Sequence, residues 1–212
     1  MRGTIVVVVL AGVACSTKPA SQTDSATAAT ASAATTSATA NGEVPVRSTE
    51  SAVAPEVNPP GDIPDSQAFV TYAPAGAGYS IEVPEGWART GDGSPVSFVS
   101  KLDGVRVDVS PATTAPSAAT AKVTEAKQIG AQGRAVSVTG TSDVTLPSGK
   151  AVLVKYESNS EPNSVTQKQV RLENEAYLIF KNGKLATVTF WAPKGADNAD
   201  QWNRMSKSFR WQ

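Results

Sequence analysis

From Gln67 onward, apolar and polar residues alternate with a period of two, broken by turns rich in glycine, proline and asparagine. That period marks half-buried strands. "AFVTYAP" and "YSIEVP" predict two strands about Gly76-Ala77-Gly78, with Phe69, Tyr79, Ile81 and Val83 as the apolar positions. "PVSFVSK" and "GVRVDVSP" predict a hairpin around Leu102-Asp103-Gly104. In the second of these, Val105, Val107 and Val109 alternate with Arg106 and Asp108, so one face is buried and the other wet. The period then lengthens. "PSAATAKVTEAKQIGAQG" predicts a helix that starts at Pro116-Ser117, stops at Gly130 or Gly133, and carries a thin stripe of Ala119, Val123 and Ala126. Strands return in "AVSVTG", in "DVTLPSGKAVLVKYES" turning on Pro147-Ser148-Gly149, and in "QVRLENEAYLIFKNGKLATVTFWAP" turning on Asn182-Gly183. The closing "ADNADQWNRMSKSFRW" predicts a second helix with Trp202, Met205 and Phe209 on one face, Asp197 as its cap and Asp200 near its positive end. Four strands, a helix, four strands and a helix predict an α+β domain, an antiparallel sheet covered by two helices.

Upstream the pattern is different. Arg2 precedes an apolar run from Thr4 to Val13, about half the roughly 20 residues a bilayer-spanning helix needs. Residues 1–14 therefore read as a signal peptide. Gly12-Val13-Ala14-Cys15-Ser16 resembles the lipobox of bacterial lipoproteins at its last three positions and departs from it at Gly12, where leucine is usual. Cys15 is the only cysteine, so it has no internal disulfide partner, and an acylated thiol at the mature N-terminus accounts for it. One acyl chain holds a membrane weakly and two hold it stably, so a diacylated Cys15 is a firm anchor. From Cys15 to Ser66 the chain is built of Ala, Ser, Thr and Pro with few large apolar side chains, a composition expected to remain an unfolded tether. A flexible chain of that length reaches roughly 40 Å, and its Thr, Ser and Pro also suit an O-glycosylated stalk. Residues 67–212 then form one domain of ordinary size.

Formal charge is balanced over the whole chain, and the tether takes more of the acid, leaving the domain mildly basic. That imbalance is too small to indicate nucleic acid as a partner.

The stretch Ile81-Glu82-Val83-Pro84-Glu85-Gly86-Trp87, the central helix, the late "LATVTFWAP" strand and the closing Ser208-Phe209-Arg210 resemble the Mog/PsbP-like α/β sandwich, and within it the LpqN/LpqT-type lipoproteins of actinobacterial envelopes. The resemblance spans residues 67–212. It rests on packing residues, and a fold of this kind does not fix a function. It implies a non-enzymatic, membrane-tethered envelope protein that binds a partner or a lipid-like ligand.

The residues themselves offer little chemistry. The chain has no histidine, which removes serine–histidine triads and most zinc sites. No catalytic residue, metal ligand or cofactor motif is assigned. Glu82 and Glu85 flank Pro84, but Glu82 points outward from a strand and Glu85 sits in a turn; Asp108 beside Arg106 reads as surface charge, and Asp92 between glycines as a turn residue. Gly76-Ala77-Gly78 lacks the helix and lysine of a phosphate loop. Trp87 and Trp202 read as core. Trp191 lies on the strand face opposite Val188 and Phe190, where it is either covered by the second helix or exposed. Trp211 with Arg204, Lys207 and Arg210 forms the candidate binding surface, its basic and aromatic groups suiting an anionic headgroup or a glycan; a frayed C-terminus explains the same residues.

Three functional classes remain. The leading one is a lipid-anchored envelope protein on the extracytoplasmic face, acting as a binding, accessory or assembly factor toward an envelope lipid, glycolipid or protein. The second is a lipid or glycolipid carrier with an apolar cavity between sheet and helix, the third a carboxylate-dependent hydrolase. The oligomeric state is not readable from the chain.

Overall fold

The computed structural model describes residues 50–212. The expected signal peptide, Cys15 and the expected tether as far as residue 49 lie outside the described residues.

Among the described residues, ten strands and three helices make an α+β domain, the class expected. Seven strands form one antiparallel sheet in the order β3-β4-β5-β9-β8-β7-β6, comprising β3 (Ala88–Gly91), β4 (Val96–Ser100), β5 (Asp103–Pro111), β9 (Lys184–Pro193), β8 (Arg171–Lys181), β7 (Gly149–Asn159) and β6 (Ser137–Leu146). A smaller sheet, β1-β2-β10, is formed by β1 (Phe69–Tyr72), β2 (Tyr79–Pro84) and β10 (Arg210–Trp211). The helices are α1 (Ala118–Ala121), α2 (Glu125–Gln132) and α3 (Ala199–Ser208).

The two faces of the large sheet are covered unequally. On one face, Val105, Val107, Val188, Phe190 and Ile179 pack against Tyr79, Ile81 and Val83 of the small sheet and Trp202, Met205 and Phe209, all buried. Tyr79 stacks on Phe209 and Phe190 on Trp202, with ring centroids 5.7 and 6.1 Å apart. On the other face a smaller cluster of Ala121, Val152, Val154, Ala176 and Leu178 lies beneath Ala118 and Ile129. Connectivity explains the difference. The chain leaves β5 in the middle of the sheet and must reach β6 at the far edge, and the short helices α1 and α2 make that crossing. They cover only part of the surface they cross.

Several expectations are corrected. The single helix over 116–133 is two, interrupted at 122–124, where the Thr124 hydroxyl donates to the Thr120 carbonyl (2.9 Å) and competes with regular helix geometry. The interruption shifts the phase, so Ala118, Ala121, Ala126 and Ile129 turn inward, while Ala119 and Val123 of the expected stripe are exposed. The β4–β5 turn falls at Lys101-Leu102, and Asp103 already pairs with Ser100. The strands β3 and β10 carry no apolar alternation from which sequence could place them. The N-cap of α3 is Asn198, not Asp197.

The tether does not remain unfolded as far as Ser66. Asn159 accepts from the Val53 amide (3.1 Å) and donates to the Glu50 carboxylate and the Ser51 carbonyl (2.9 Å each). Asn198 accepts from the Ile63 amide (2.7 Å) and donates to the Gly61 carbonyl (2.8 Å), and Ile63 is buried. Residues 50–66 thus form a strap on the domain. Composition conceals it because its hydrogen bonds, made by its backbone and by Glu50, Asp62 and Asp65, reach residues about a hundred positions away.

Candidate functional site

The uncovered part of the second face is an open groove of about 800 Å3. Its floor is a lattice of strand residues that share one side by register. Gly104, Trp191 and Asn174 form one row across β5, β9 and β8; Arg106, Thr189 and Ala176 form the next; Asp108, Thr187 and Leu178 form the third. One wall is α2 with Gln128, Ile129 and Gln132, and one end is closed by Arg134, Asn159, Ser160 and Glu161.

Trp191 sets the shape of the floor. Its ring lies across Gly104 so closely that a β-carbon there would stand 1.9 Å from Cζ2. Glycine is required at this point, and the indole rests flat on the β5 backbone. Of the two alternatives for Trp191, cover by the last helix is removed, because α3 packs on the Phe190 face. Trp191 is partly exposed and lines the groove.

The polar groups of the floor differ in how they are engaged. Arg106 donates to Asp108 at 3.3 Å, the surface pair expected from sequence. Asn174 donates to the Ser158 hydroxyl (3.0 Å) and the Tyr156 carbonyl (3.3 Å). Among the described residues, the Thr187, Thr189, Gln128 and Gln132 side chains have no hydrogen-bond partner within the protein. The Tyr156 phenol is pushed up to about 12 by burial, so it stays neutral at the groove edge.

At the closed end, Glu50 of the strap is held by Arg134 (2.7 Å), Asn159 and Gln169, and the Asn159 hydrogen bond leads in holding its carboxyl below the usual carboxylate range. Beneath it, Arg171 is buried and donates to Glu157, to the Ala135 carbonyl and to Asn159. Glu157 also accepts from Lys194 at 2.5 Å, and these cations hold its carboxyl below the usual range.

The residues proposed from sequence lie elsewhere. Trp211 is in β10, paired with Tyr79, its ring edge-on to Phe209. Arg204 donates to Glu82 at 2.8 Å and stacks over Phe69, and Arg210 donates to the carbonyls of Lys207 and Phe209 at the end of α3. Of the four, Lys207 is the one with its charge unengaged among the described residues. Asp92 accepts from Tyr72 at 2.9 Å. Among the described residues no group of three His, Cys, Asp or Glu is placed to hold a metal, and no helix is long and apolar enough to cross a membrane.

The sequence matches no protein-family profile and no curated protein. Among solved structures, the domain is similar to the cyanobacterial PsbP of Synechocystis, at 17% identity and a TM-score of 0.45, over 72% of this chain and 98% of that one. It is also similar to the Ran-binding protein Mog1p of Saccharomyces cerevisiae, at 11% identity and a TM-score of 0.45, over 68% of this chain and 96% of that one.

Proposed function

We propose that the protein is a lipid-anchored lipoprotein of the cell envelope, of the LpqN/LpqT type its sequence resembles. It is held on the extracytoplasmic face through Cys15 and works by binding rather than by catalysis. The observation that carries the reading is the groove: a preformed concavity on a rigid sheet, of a size typical for ligand sites, in a chain without histidine and with its one cysteine ahead of the domain. The aromatic, hydroxyl and amide groups on the groove floor position a ligand and do not activate a nucleophile. We favour binding here over the C-terminal patch because the groove carries the unpartnered Thr187, Thr189, Gln128 and Gln132 side chains, whereas Arg204 and Arg210 of that patch have partners inside the domain. An acyl-chain carrier is disfavoured by a floor bearing Arg106, Asp108, Thr187 and Thr189.

Two measurements test the reading on the full chain isolated gently from its own membrane. Intact mass is expected to give a mature form beginning at acylated Cys15, and Cys15→Ala is expected to lose membrane retention. Native mass spectrometry is expected to show a co-purifying ligand or partner. An unprocessed, unacylated N-terminus refutes the anchor, and a turnover abolished by one polar substitution refutes the non-catalytic role.

A further inference from the structure

We propose that the groove binds a neutral oligosaccharide, a segment of envelope polysaccharide, with Trp191 as its stacking platform. This inference names the ligand class of the proposed binding function and rests on that reading.

Three features converge on it. The first is the platform. With one face seated on Gly104, the Trp191 indole is held in a single plane by the strand backbone, and its remaining exposure is toward the groove. A flat aromatic face carries partial negative charge, and the polarised C–H groups of a sugar ring pack against it. The second is the distribution of hydrogen-bonding groups. Thr189 lies beside Trp191 on β9 and Thr187 two residues before it, on the same face, with Gln128 and Gln132 opposite on α2, all four unpartnered among the described residues. Hydroxyls and amides both donate and accept, as the hydroxyls of a sugar do. The third is charge. The groove is lined by three cations, Lys101, Arg106 and Arg134, and three carboxylates, Asp108, Glu125 and Glu161. Three against three leaves no net attraction for a phosphate, a nucleic acid or a cationic peptide. The Arg106–Asp108 pair instead offers a donor and an acceptor side by side along β5, a fit for adjacent hydroxyls.

The test uses the full chain in detergent on an array of linear neutral gluco-, galacto-, manno- and arabino-oligosaccharides, with uronic-acid oligomers and lipid-linked sugars as separate arms. The expected result is retention of at least one neutral oligosaccharide, no preference for the acidic arm, and no need for the lipid. Trp191→Ala is expected to weaken binding roughly tenfold. Because removing a tryptophan can disturb the fold, Thr187→Val and Thr189→Val provide the second check: they keep shape, remove the unpartnered hydroxyls, and are expected to weaken binding several-fold. Lys207→Ala, on the C-terminal patch, is expected to leave binding unchanged. No retention of any neutral oligosaccharide, a preference for acidic or lipid-linked ligands, or binding indifferent to the groove variants overturns the proposal. Its failure is distinguishable from that of the parent reading. A protein or lipid adduct in the groove removes the glycan and keeps the binding function, whereas an unacylated Cys15 removes the anchor and leaves glycan binding measurable in solution.

Discussion

Trp191 rests on Gly104, one strand away, and the glycine exists at that position because the indole fills the space a β-carbon would occupy. The contact joins two strands of the large sheet and fixes the floor of the groove.

Gly104→Ala is therefore expected to force the ring off the strand. Overpacking of this kind costs about 1–3 kcal/mol, seen as a lower urea midpoint. The near-UV circular dichroism of Trp191 is expected to change with it. Unaltered stability together with an unaltered aromatic spectrum contradicts the seated geometry.

Asp103 gives the domain a pH dependence of definite sign. It is buried at the start of β5, and burial raises its carboxyl from 3.8 to about 6, against a weak opposing hydrogen bond from Asn198 (3.4 Å). The folded state holds this proton more tightly than the unfolded state, so the contribution is largest below about pH 4, falls as pH rises to about 6, and is flat above. Asp103→Asn is expected to raise stability at neutral pH by on the order of 2–3 kcal/mol and to flatten the profile between those limits. Parallel urea unfolding curves of wild type and variant across that range decide it, and an unchanged slope refutes it.

Glu157 has the opposite sign. Arg171 and Lys194 hold its carboxyl below its ordinary 4.5, so its contribution is present above that value and is lost as pH falls. Glu157→Gln leaves Arg171, only 3% exposed, with neutral partners alone. The expected loss is about 1–3 kcal/mol, below the roughly 3–5 of a fully buried pair because Glu157 is partly solvated. Equal stability of variant and wild type at neutral pH removes the role assigned to this pair.

The strap makes a prediction about proteolysis. Backbone hydrogen-bonded to Asn159 and Asn198 is protected, so limited digestion of the full chain is expected to leave a fragment that begins at or before Glu50. Asn159→Ala is expected to open sites between residues 51 and 58 while the sheet stays intact. Ready cleavage there in wild type contradicts the strap.

Much of the fold is legible in the residues. The period-two runs of β5, β7, β8 and β9, the Asn182-Gly183 turn and the Trp202–Met205–Phe209 stripe are local signals, and each element stands where its pattern places it. What escapes is non-local. β3 is four exposed residues without alternation, and β10 is two residues whose pairing to β2 depends on where α3 ends. Asn198 caps α3 in place of Asp197 and uses its side chain on the strap, a choice no local rule contains. The groove is hidden for a similar reason. Thr187, Thr189 and Trp191 are legible as one strand face, but that this face is left open follows from the path of α1 and α2 across the sheet. The one available signal was Gly104, a glycine inside a strand facing a tryptophan, and it becomes informative only once the register is known.

The most direct test of a protein that acts through its groove is photocrosslinking in the living cell, with a benzophenone amino acid at position 189 and, in a separate strain, at position 207. A discrete adduct from the groove position, absent from the C-terminal position and lost with Gly104→Ala, is the predicted result. Adducts from position 207 alone contradict the central claim.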